Sequence, residues 1–253
     1  MKITSFGGTD PGKKRGNNED AYLLDDALNL YVAADGIGGN EGGEIASRVA
    51  VQTLAEAIPD LLGDRNKTPP SGADGAADLR FFALRQAITL SNRNIRQEQK
   101  LNPAVADMGT TLTALLLRKG QAFIGHVGDS RAYLLRSGEF RQVTNDHSFV
   151  AEQVAAGIMT PKQARSSPYR HVITRALGID DDVQADFTSQ ALKRDDRFLL
   201  CTDGLTEMVD DKEIGRILAA YPPREAVQKL LAAANDHGGV DNITAVVIWI
   251  TEV

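Results

Sequence analysis

The chain has 253 residues, with 28 lysines and arginines against 34 aspartates and glutamates, and a formal net charge of −6. Apolar residues make up 42% and charged residues 25%, which is ordinary for a soluble globular protein and allows a large core. The acidic balance gives no electrostatic reason to bind nucleic acid or an anionic membrane. Neither is expected as a partner.

The cysteine content and the apolar runs bear on location. Cys201 is the only cysteine, which excludes an intrachain disulfide and a multi-cysteine zinc site and fits a reducing compartment. Residues 1–8 lack the apolar stretch of a signal peptide, and no segment approaches the roughly 20 apolar residues of a membrane span. We expect a cytoplasmic protein.

Short strands dominate the first 35 residues and the middle of the chain. Apolar runs predict strands at 22–24, 28–34, 111–117, 122–127, 132–135, 140–143, 183–187, 197–202 and 243–250. Ser137-Gly138 predicts a hairpin turn between two of these runs. Because consecutive strands are connected by hairpins and not by single helices, we expect antiparallel sheets.

Helical spacing predicts two pairs of helices. Apolar residues recur on one face from Ala46 to Leu61, where Pro59 and Gly63 are expected to close the helix, and again from Leu79 to Leu90. Two more helical stretches occupy 211–237. The Gly- and Pro-rich segment 64–77 resembles a surface loop more than a linker, so one domain over residues 1–253 is expected, with helices outside the sheets.

Four aspartates stand beside apolar runs. They are Asp35 after Tyr31-Val32-Ala33-Ala34, Asp129 after Phe123 to Gly128, Asp203 after Phe198 to Thr202, and Asp241 before Asn242-Ile243. One Asp-Gly is most simply a tight turn, because both residues tolerate hairpin dihedral angles. Four converging carboxylates would repel one another and raise each other's pKa unless a cation lay between them.

The ligand types indicate which cation fits. Oxygen ligands suit Mg²⁺ or Mn²⁺, whereas the sequence has no Cys cluster or His-x₃-His spacing for zinc. Calcium is a rival, but no twelve-residue Asp-x-Asp-x-Asp-Gly loop is present. Gly36, Gly38 and Gly39 leave room for ligands to approach the backbone.

A cluster from Arg15 to Asp20 precedes the first strong strand signal. Alone, it is most simply a solvated loop with an ion pair. Beside a metal site, Arg15 offers a planar fork that matches phosphate oxygens, while Glu19 and Asp20 offer carboxylates that hold metal-bound waters.

Seven short motifs follow one another along nearly the whole chain. They are Arg15-x-x-x-Glu19-Asp20-Ala21, Asp35-Gly36-x-Gly38-Gly39, Gly109-Thr110-Thr111, Gly128-Asp129-Ser130-Arg131, Asp146-His147-Ser148, Thr202-Asp203-Gly204 and Asp241-Asn242. In this order they resemble the bacterial type of the PPM, or PP2C-type, family of metal-dependent protein serine/threonine phosphatases. The resemblance implies an α+β fold, a four-layer α-β-β-α sandwich of two packed antiparallel sheets flanked by helix pairs. It also implies a monomer with a variable flap at about 146–182.

The resemblance implies a metal site as well. Asp35 is expected to bridge two ions, with the carbonyl of Gly36 on one of them and with Asp203 and Asp241 completing the other site. Asp129, with help from Asp203, is expected to hold a third. The implied cofactors are Mn²⁺ or Mg²⁺, two ions and a third.

The implied catalytic residues are Arg15, Asp20 and Asp35. Arg15 is expected to bind the substrate phosphate and Asp20 to orient metal-bound water, with Glu19 and Asp20 in the shell around the metal ligands. A water bridging two metals would attack phosphoserine or phosphothreonine directly, without a phosphoenzyme. The expected partners are phosphorylated proteins, including a Ser/Thr kinase whose signalling the enzyme reverses.

The general acid stays open in the sequence. Ile37 stands where some members of the family have a histidine proposed to protonate the leaving group. A metal-bound water or His147 is a candidate, although Asp146-His147-Ser148 also predicts a helix cap. In the flap, Arg170 and Arg175 are candidates to contact substrate, although surface charges are the simpler interpretation.

Three other interpretations are weaker. A cysteine phosphatase needs Cys-x₅-Arg, but Glu207 occupies the arginine position after Cys201, which instead predicts a packed strand residue. A phosphatase-like regulator acting in partner switching on an anti-sigma antagonist is the alternative function. A catalytically dead binding module is disfavoured because every inferred metal ligand is present.

Overall fold

The computed structural model describes residues 1–39, 41–63 and 79–253. The strands in these ranges are β1 (Lys2–Asp10), β2 (Ala21–Asp25), β3 (Leu30–Ala34), β4 (Gly36–Ile37), β5 (Gly109–Thr110), β6 (Leu112–Arg118), β7 (Gln121–Val127), β8 (Arg131–Arg136), β9 (Glu139–Gln142), β10 (Asp186–Ala191), β11 (Arg197–Cys201) and β12 (Ile243–Glu252). The helices are α1 (Gly42–Gly63), α2 (Leu79–Leu101), α3 (Phe149–Ala155), α4 (Pro161–Arg165), α5 (Asp203–Thr206), α6 (Asp211–Ala220) and α7 (Pro223–Asp236), with a 3₁₀ turn at Pro103–Val105. The loop predicted at 64–77 lies outside the described residues.

Two five-stranded sheets form the centre of the molecule. One has the strand order β1-β12-β11-β8-β9 and the other β10-β7-β6-β3-β2, and every pairing is antiparallel, as predicted. The hairpin at Ser137-Gly138 is confirmed, because Arg136 pairs with Glu139 and both turn residues have positive φ.

The layers follow from the side-chain alternation of the strands. In β3, Leu30, Val32 and Ala34 pack in the core formed with α1 and α2, whereas Tyr31 and Ala33 belong to the core between the two sheets. Both faces of β3 are therefore buried, which explains its continuous apolar run. A third core lies between the first sheet and α6 and α7. The four-layer α-β-β-α sandwich is confirmed.

One helix prediction is confirmed and one needs correction. The first helix includes Leu61 and ends at Gly63, as predicted, and Pro59 lies inside it near this end, where the buried Ile58 packs on the core. In α2, Ala83 and Ala87 are buried as the spacing predicts, but Leu90 is exposed and the buried face continues through Ile88 and Ser91.

The strand predicted at 183–187 is displaced, and β10 begins only at Asp186. Its first residue pairs with His126, one position before the end of β7, so the partner strand sets where β10 begins. The periodicity of one strand carries no information about its partner.

The flap segment at about 146–182 contains the short helices α3 and α4. Ser148 is the N-cap of α3 and accepts a hydrogen bond from Ala151 N at 3.4 Å, which confirms the cap predicted from Asp146-His147-Ser148. Thr160 and Gln163 form a capping box at α4. Across the described ranges of the chain, no helix is both long and apolar enough to cross a membrane.

Candidate metal centre

Five aspartates from distant parts of the sequence meet at one edge of the sandwich. Asp35 follows β3, Asp129 follows β7, Asp203 follows β11, and Asp241 comes shortly before β12. The negative charges of Asp20, Asp203 and Asp129 all act on Asp35, and that of Asp241 acts on Asp203. The predicted convergence is therefore present, and Asp20 is part of it.

Asp35 is held by the two threonines of the Gly109-Thr110-Thr111 motif. Its backbone N–H donates to Thr111 Oγ1 at 2.9 Å, and its carbonyl oxygen accepts from Thr111 N at 2.9 Å and from Thr110 Oγ1 at 2.8 Å. With its backbone fixed on both sides, the Asp35 side chain is directed by the sheet and not by a free loop.

Gly36 lies where three segments come together. A Cβ at this position would collide with the carbonyl oxygens of Gly43 and Glu19. Its N–H donates to Glu19 O at 3.1 Å, and the same oxygen accepts from Ser47 Oγ at 2.6 Å. Glycine is required here by close backbone approach, and this contact brings the Glu19-Asp20 segment against the metal-ligand candidates.

Asp20 is buried, and only one of its carboxylate oxygens is hydrogen-bonded. Oδ2 accepts from Thr202 Oγ1 at 2.8 Å and from Thr244 Oγ1 at 2.6 Å, whereas Oδ1 has no partner within the described residues. Burial raises the pKa of Asp20 to about 7, although the two hydroxyl donors act in the opposite direction. The sequence did not predict that Thr202, the residue after β11, and Thr244 of β12 hold Asp20, because both lie far from it along the chain.

Arg15 and Asp241 form an ion pair at the rim of the cluster. Arg15 Nη2 lies 2.7 Å from Asp241 Oδ2, and about half of the arginine side chain is exposed. Asn242 fixes the same region, since it accepts from Glu19 N at 2.8 Å and donates to Asn17 O at 2.8 Å. The structure therefore brings the predicted phosphate-binding arginine next to the predicted metal ligands.

Asp129 and Asp203 form the other side of the cluster. Burial, followed by the charge of Asp203, raises the pKa of Asp129 to about 8. Burial also raises the pKa of Asp203, while a hydrogen bond from Asp35 acts against that rise. The Oδ1 atoms of Asp129 and Asp203 are buried and, in the described part of the chain, have no hydrogen-bond partner.

These observations test whether the residues fit metal ions. Burial raises the pKa of Asp35 well above its ordinary value, and the charges of Asp20 and Asp203 raise it further. Raised carboxylate pKa values and buried oxygens without donors among the described residues are the properties expected of carboxylates that bind cations. An all-oxygen set of this kind fits Mg²⁺ or Mn²⁺.

A cleft of about 980 Å³ runs from Asp129 and Asp203 along the flap. Its walls include Val150 and Pro161 of the flap and Asp211 of α6. Its size and mixed polar and apolar lining suit a stretch of polypeptide better than a bare phosphate ester.

For two groups beside the cleft, the sequence either predicted no functional role or left that role open. His171 Nδ1 lies 2.8 Å from Glu207 Oε1, and both approach Asp203 closely enough that the three ligand atoms lie within 4.8 Å of one another. Of the flap arginines, Arg170 lines the cleft, and Arg175 also does so while pairing with Asp186 at 3.1 Å. Cys201 is fully buried in β11, as predicted.

A buried histidine pair lies behind Asp129. The rings of His126 and His147 are 4.8 Å apart, and His126 Nε2 donates to Asn145 O at 3.0 Å while Nδ1 lies 2.9 Å from Thr113 Oγ1. Burial, with a smaller effect of His147, lowers the pKa of His126 to about 4. The ring is therefore neutral in the folded protein at neutral pH.

This neutral histidine predicts a loss of stability in acid. The unfolded chain binds a proton at His126 near pH 6.5 but the folded chain only near pH 4, so folding stability falls as pH drops through that window. Between pH 7 and 4.5 we expect His126 to account for about 2 kcal/mol of the lost stability. Urea unfolding of the wild type and of His126→Gln in EDTA measures it. An equal pH dependence in both proteins would contradict the prediction.

Comparison with known proteins agrees with this geometry. Residues 8–244 match the family model for protein phosphatase 2C. The chain is 36% identical over 249 residues to protein phosphatase PhpP of Streptococcus pneumoniae, with 96% of each chain covered. Its structure is similar to the crystal structure of the Mycobacterium tuberculosis serine/threonine phosphatase PstP/Ppp, with a TM-score of 0.86, 34% identity and 99% of each chain covered. It is also similar to the PstP catalytic domain in complex with two manganese ions, with a TM-score of 0.84 and 34% identity over 99% of each chain.

The chain belongs to the protein phosphatase 2C family. It is a metal-dependent protein serine/threonine phosphatase, and its substrates are phosphoproteins. The relatives are named as phosphatases and give no support to the alternative of a partner-switching regulator.

Proposed function

We propose that two metal ions are held by Asp35, the Gly36 carbonyl, Asp203 and Asp241, and a third by Asp129 together with Asp203. One observation carries the proposal: Asp129 and Asp203 both keep a buried carboxylate oxygen for which the described residues provide no hydrogen-bond donor. Glu207 and His171 lie beside Asp203 and add further ligand atoms at the flap side. The manganese ions of the PstP structure favour Mn²⁺, and Mg²⁺ fits the same oxygen ligands.

Bound divalent ions supply an activated water nucleophile and neutralise charge on the phosphoryl oxygens. The residues of the chain direct that chemistry. Asp20, held at Oδ2 by two hydroxyls, presents Oδ1 as an acceptor that orients the attacking water. Arg15 is exposed at the rim and supplies a planar set of donors to the substrate phosphate.

The substrate, the domain organisation, the oligomeric state and the location are proposed on separate grounds. The cleft along the flap favours a phosphorylated segment of protein, and a Ser/Thr kinase is the natural enzyme for this phosphatase to oppose. A single catalytic domain over 1–253 is supported by the family match across 8–244 and by the core shared between the sheets. The monomer and the cytoplasmic location stay predictions.

Hydrolysis of p-nitrophenyl phosphate and of a phosphothreonine peptide tests the proposed function. With added Mn²⁺ we expect turnover of both substrates, since the metal ions provide the nucleophile and the charge neutralisation. EDTA should remove activity, and re-added Mn²⁺ should restore it. Mg²⁺ in place of Mn²⁺ compares the two ions.

Two results would contradict it. Activity that survives EDTA would exclude the metal mechanism. Turnover of the small ester with none of the phosphopeptide would indicate a small-molecule phosphatase, and the cleft would then need another explanation.

A further inference from the structure

His147 is buried between β9 and α3 and makes two hydrogen bonds to Gly128. Its backbone N–H donates to Gly128 O at 2.8 Å, and its ring Nδ1 lies 3.1 Å from Gly128 N. A backbone N–H only donates, so Nδ1 accepts and the ring proton is on Nε2. Both polar backbone groups of Gly128 are thus satisfied by His147.

Gly128 is the residue directly before Asp129. It has a φ of +105°, and a Cβ there would lie 2.5 Å from Thr111 Cγ2, so this turn has a single tightly packed backbone path. The Asp129 Oδ1 atom is buried and, among the residues described, has no hydrogen-bond partner to fix it. The position of this carboxylate therefore depends on the turn that His147 holds.

The other side of the ring faces the end of the flap. Nε2 lies 3.3 Å from Asp186 Oδ2 and 3.3 Å from Arg175 Nη1, and Asp186 Oδ1 lies 3.1 Å from Arg175 Nη1. Because Arg175 only donates, Asp186 is the acceptor for the Nε2 proton. The carbonyl oxygen of His147 accepts from Thr174 N at 2.8 Å. The ring is buried and both of its nitrogens are in contact with protein groups, so this geometry gives no support to His147 as the general acid that the sequence left open.

We propose that His147 is a positioning residue that holds the Gly128-Asp129 turn through Nδ1 and fastens the flap to it through Nε2 and Asp186. The inference rests on the proposed role of Asp129 as a ligand of the third ion. It assigns the two ring nitrogens different tasks, which a histidine that only fills space beside His126 would not have.

Two substitutions separate the two nitrogens. In His147→Asn the amide oxygen takes the place of Nδ1 and still accepts from Gly128 N, but the contact with Asp186 is lost. In His147→Gln the terminal amide reaches the place of Nε2, and the acceptor for Gly128 is lost. Both variants keep a polar side chain of similar volume, and circular dichroism checks that each is folded.

Mn²⁺ binding followed by electron paramagnetic resonance of the free ion is the first readout. Asp129→Asn identifies which binding step belongs to Asp129. At that step we expect His147→Gln to lose about tenfold in affinity, as for other residues that orient a metal ligand. His147→Asn should stay within about twofold of the wild type, because the acceptor for Gly128 remains.

Trypsin cleavage after Lys162, Arg165 and Arg170 in the flap is the second readout. His147→Asn and Asp186→Ala should be cut several-fold faster than the wild type, and His147→Gln should be cut at the wild-type rate. Equal losses in both His147 variants, or an Asp129→Asn variant that loses no binding step, would overturn the inference. Failure of the proposed function is distinguishable, because it would appear as turnover that does not need Mn²⁺.

Discussion

Replacing Asp203 with asparagine is expected to abolish phosphatase activity while making the metal-free protein more stable. Asp203 is a proposed ligand of one ion of the pair and of the third ion, so its loss should cost about 4 kcal/mol of transition-state stabilisation, or roughly a thousandfold in kcat/KM. Its pKa is raised by burial, so the folded, metal-free chain binds a proton there that the unfolded chain has released. The ionised carboxylate therefore destabilises the fold as pH rises above the unfolded pKa.

The expected change in stability of the Asp203→Asn variant is measured by thermal unfolding at pH 8, in EDTA and in Mn²⁺. In EDTA we expect Asp203→Asn to melt roughly 2–4 °C above the wild type, about the change that 1 kcal/mol gives in a chain of this size. Mn²⁺ at a hundred times its Kd should stabilise the wild type by about 2.7 kcal/mol and the variant much less. Asp236→Asn, on an exposed side chain, is the matched control and should behave as the wild type. A variant that Mn²⁺ still stabilises fully would exclude Asp203 as a ligand.

Replacing Arg15 with alanine is expected to weaken substrate binding far more than metal binding. A charged hydrogen-bonding group that contacts phosphate contributes about 1.5–3 kcal/mol, so kcat/KM should fall roughly 10- to 100-fold. Arg15 pairs with Asp241, and the variant frees that carboxylate. Mn²⁺ affinity should therefore be unchanged or slightly higher.

Steady-state kinetics on the phosphothreonine peptide and a Mn²⁺ titration measure the two effects separately. Arg15→Lys is the control, since it keeps the charge but loses the planar fork and should recover only part of the activity. Loss of Mn²⁺ affinity with an unchanged KM would show that Arg15 organises the metal ligands and does not bind phosphate.

Most of the strands were predictable because each depends on its own alternation of side chains. The layered arrangement followed from hairpin connections, and the cap at Ser148 from three consecutive residues. The predictions failed where the bounds of an element depend on the strand with which it pairs. The displaced start of β10, fixed by the pairing of Asp186 with His126, is an example.

The candidate site was also only partly visible in the sequence. The aspartates could be found because carboxylates beside apolar strands are unusual, and the ordered motifs gave them roles. The sequence did not indicate which side chains orient these aspartates, although Thr202 and His147 lie in the ordered motifs: Thr202 and Thr244 hold Asp20, and His147 holds the turn before Asp129. Each acts through hydrogen bonds to a residue in another segment of the chain.

The sequence by itself indicated the class of the protein and the layer order, and it supplied the carboxylates proposed for the metal centre. These features depend on residue types and on the spacing between residues that are close together in the sequence. Only the tertiary structure decided which carboxylate oxygens have no donor among the described residues, that Arg15 pairs with Asp241, and that Nε2 of His147 lies beside Asp186. Those facts depend on distances between segments far apart in sequence, and such distances are fixed when the two sheets pack together.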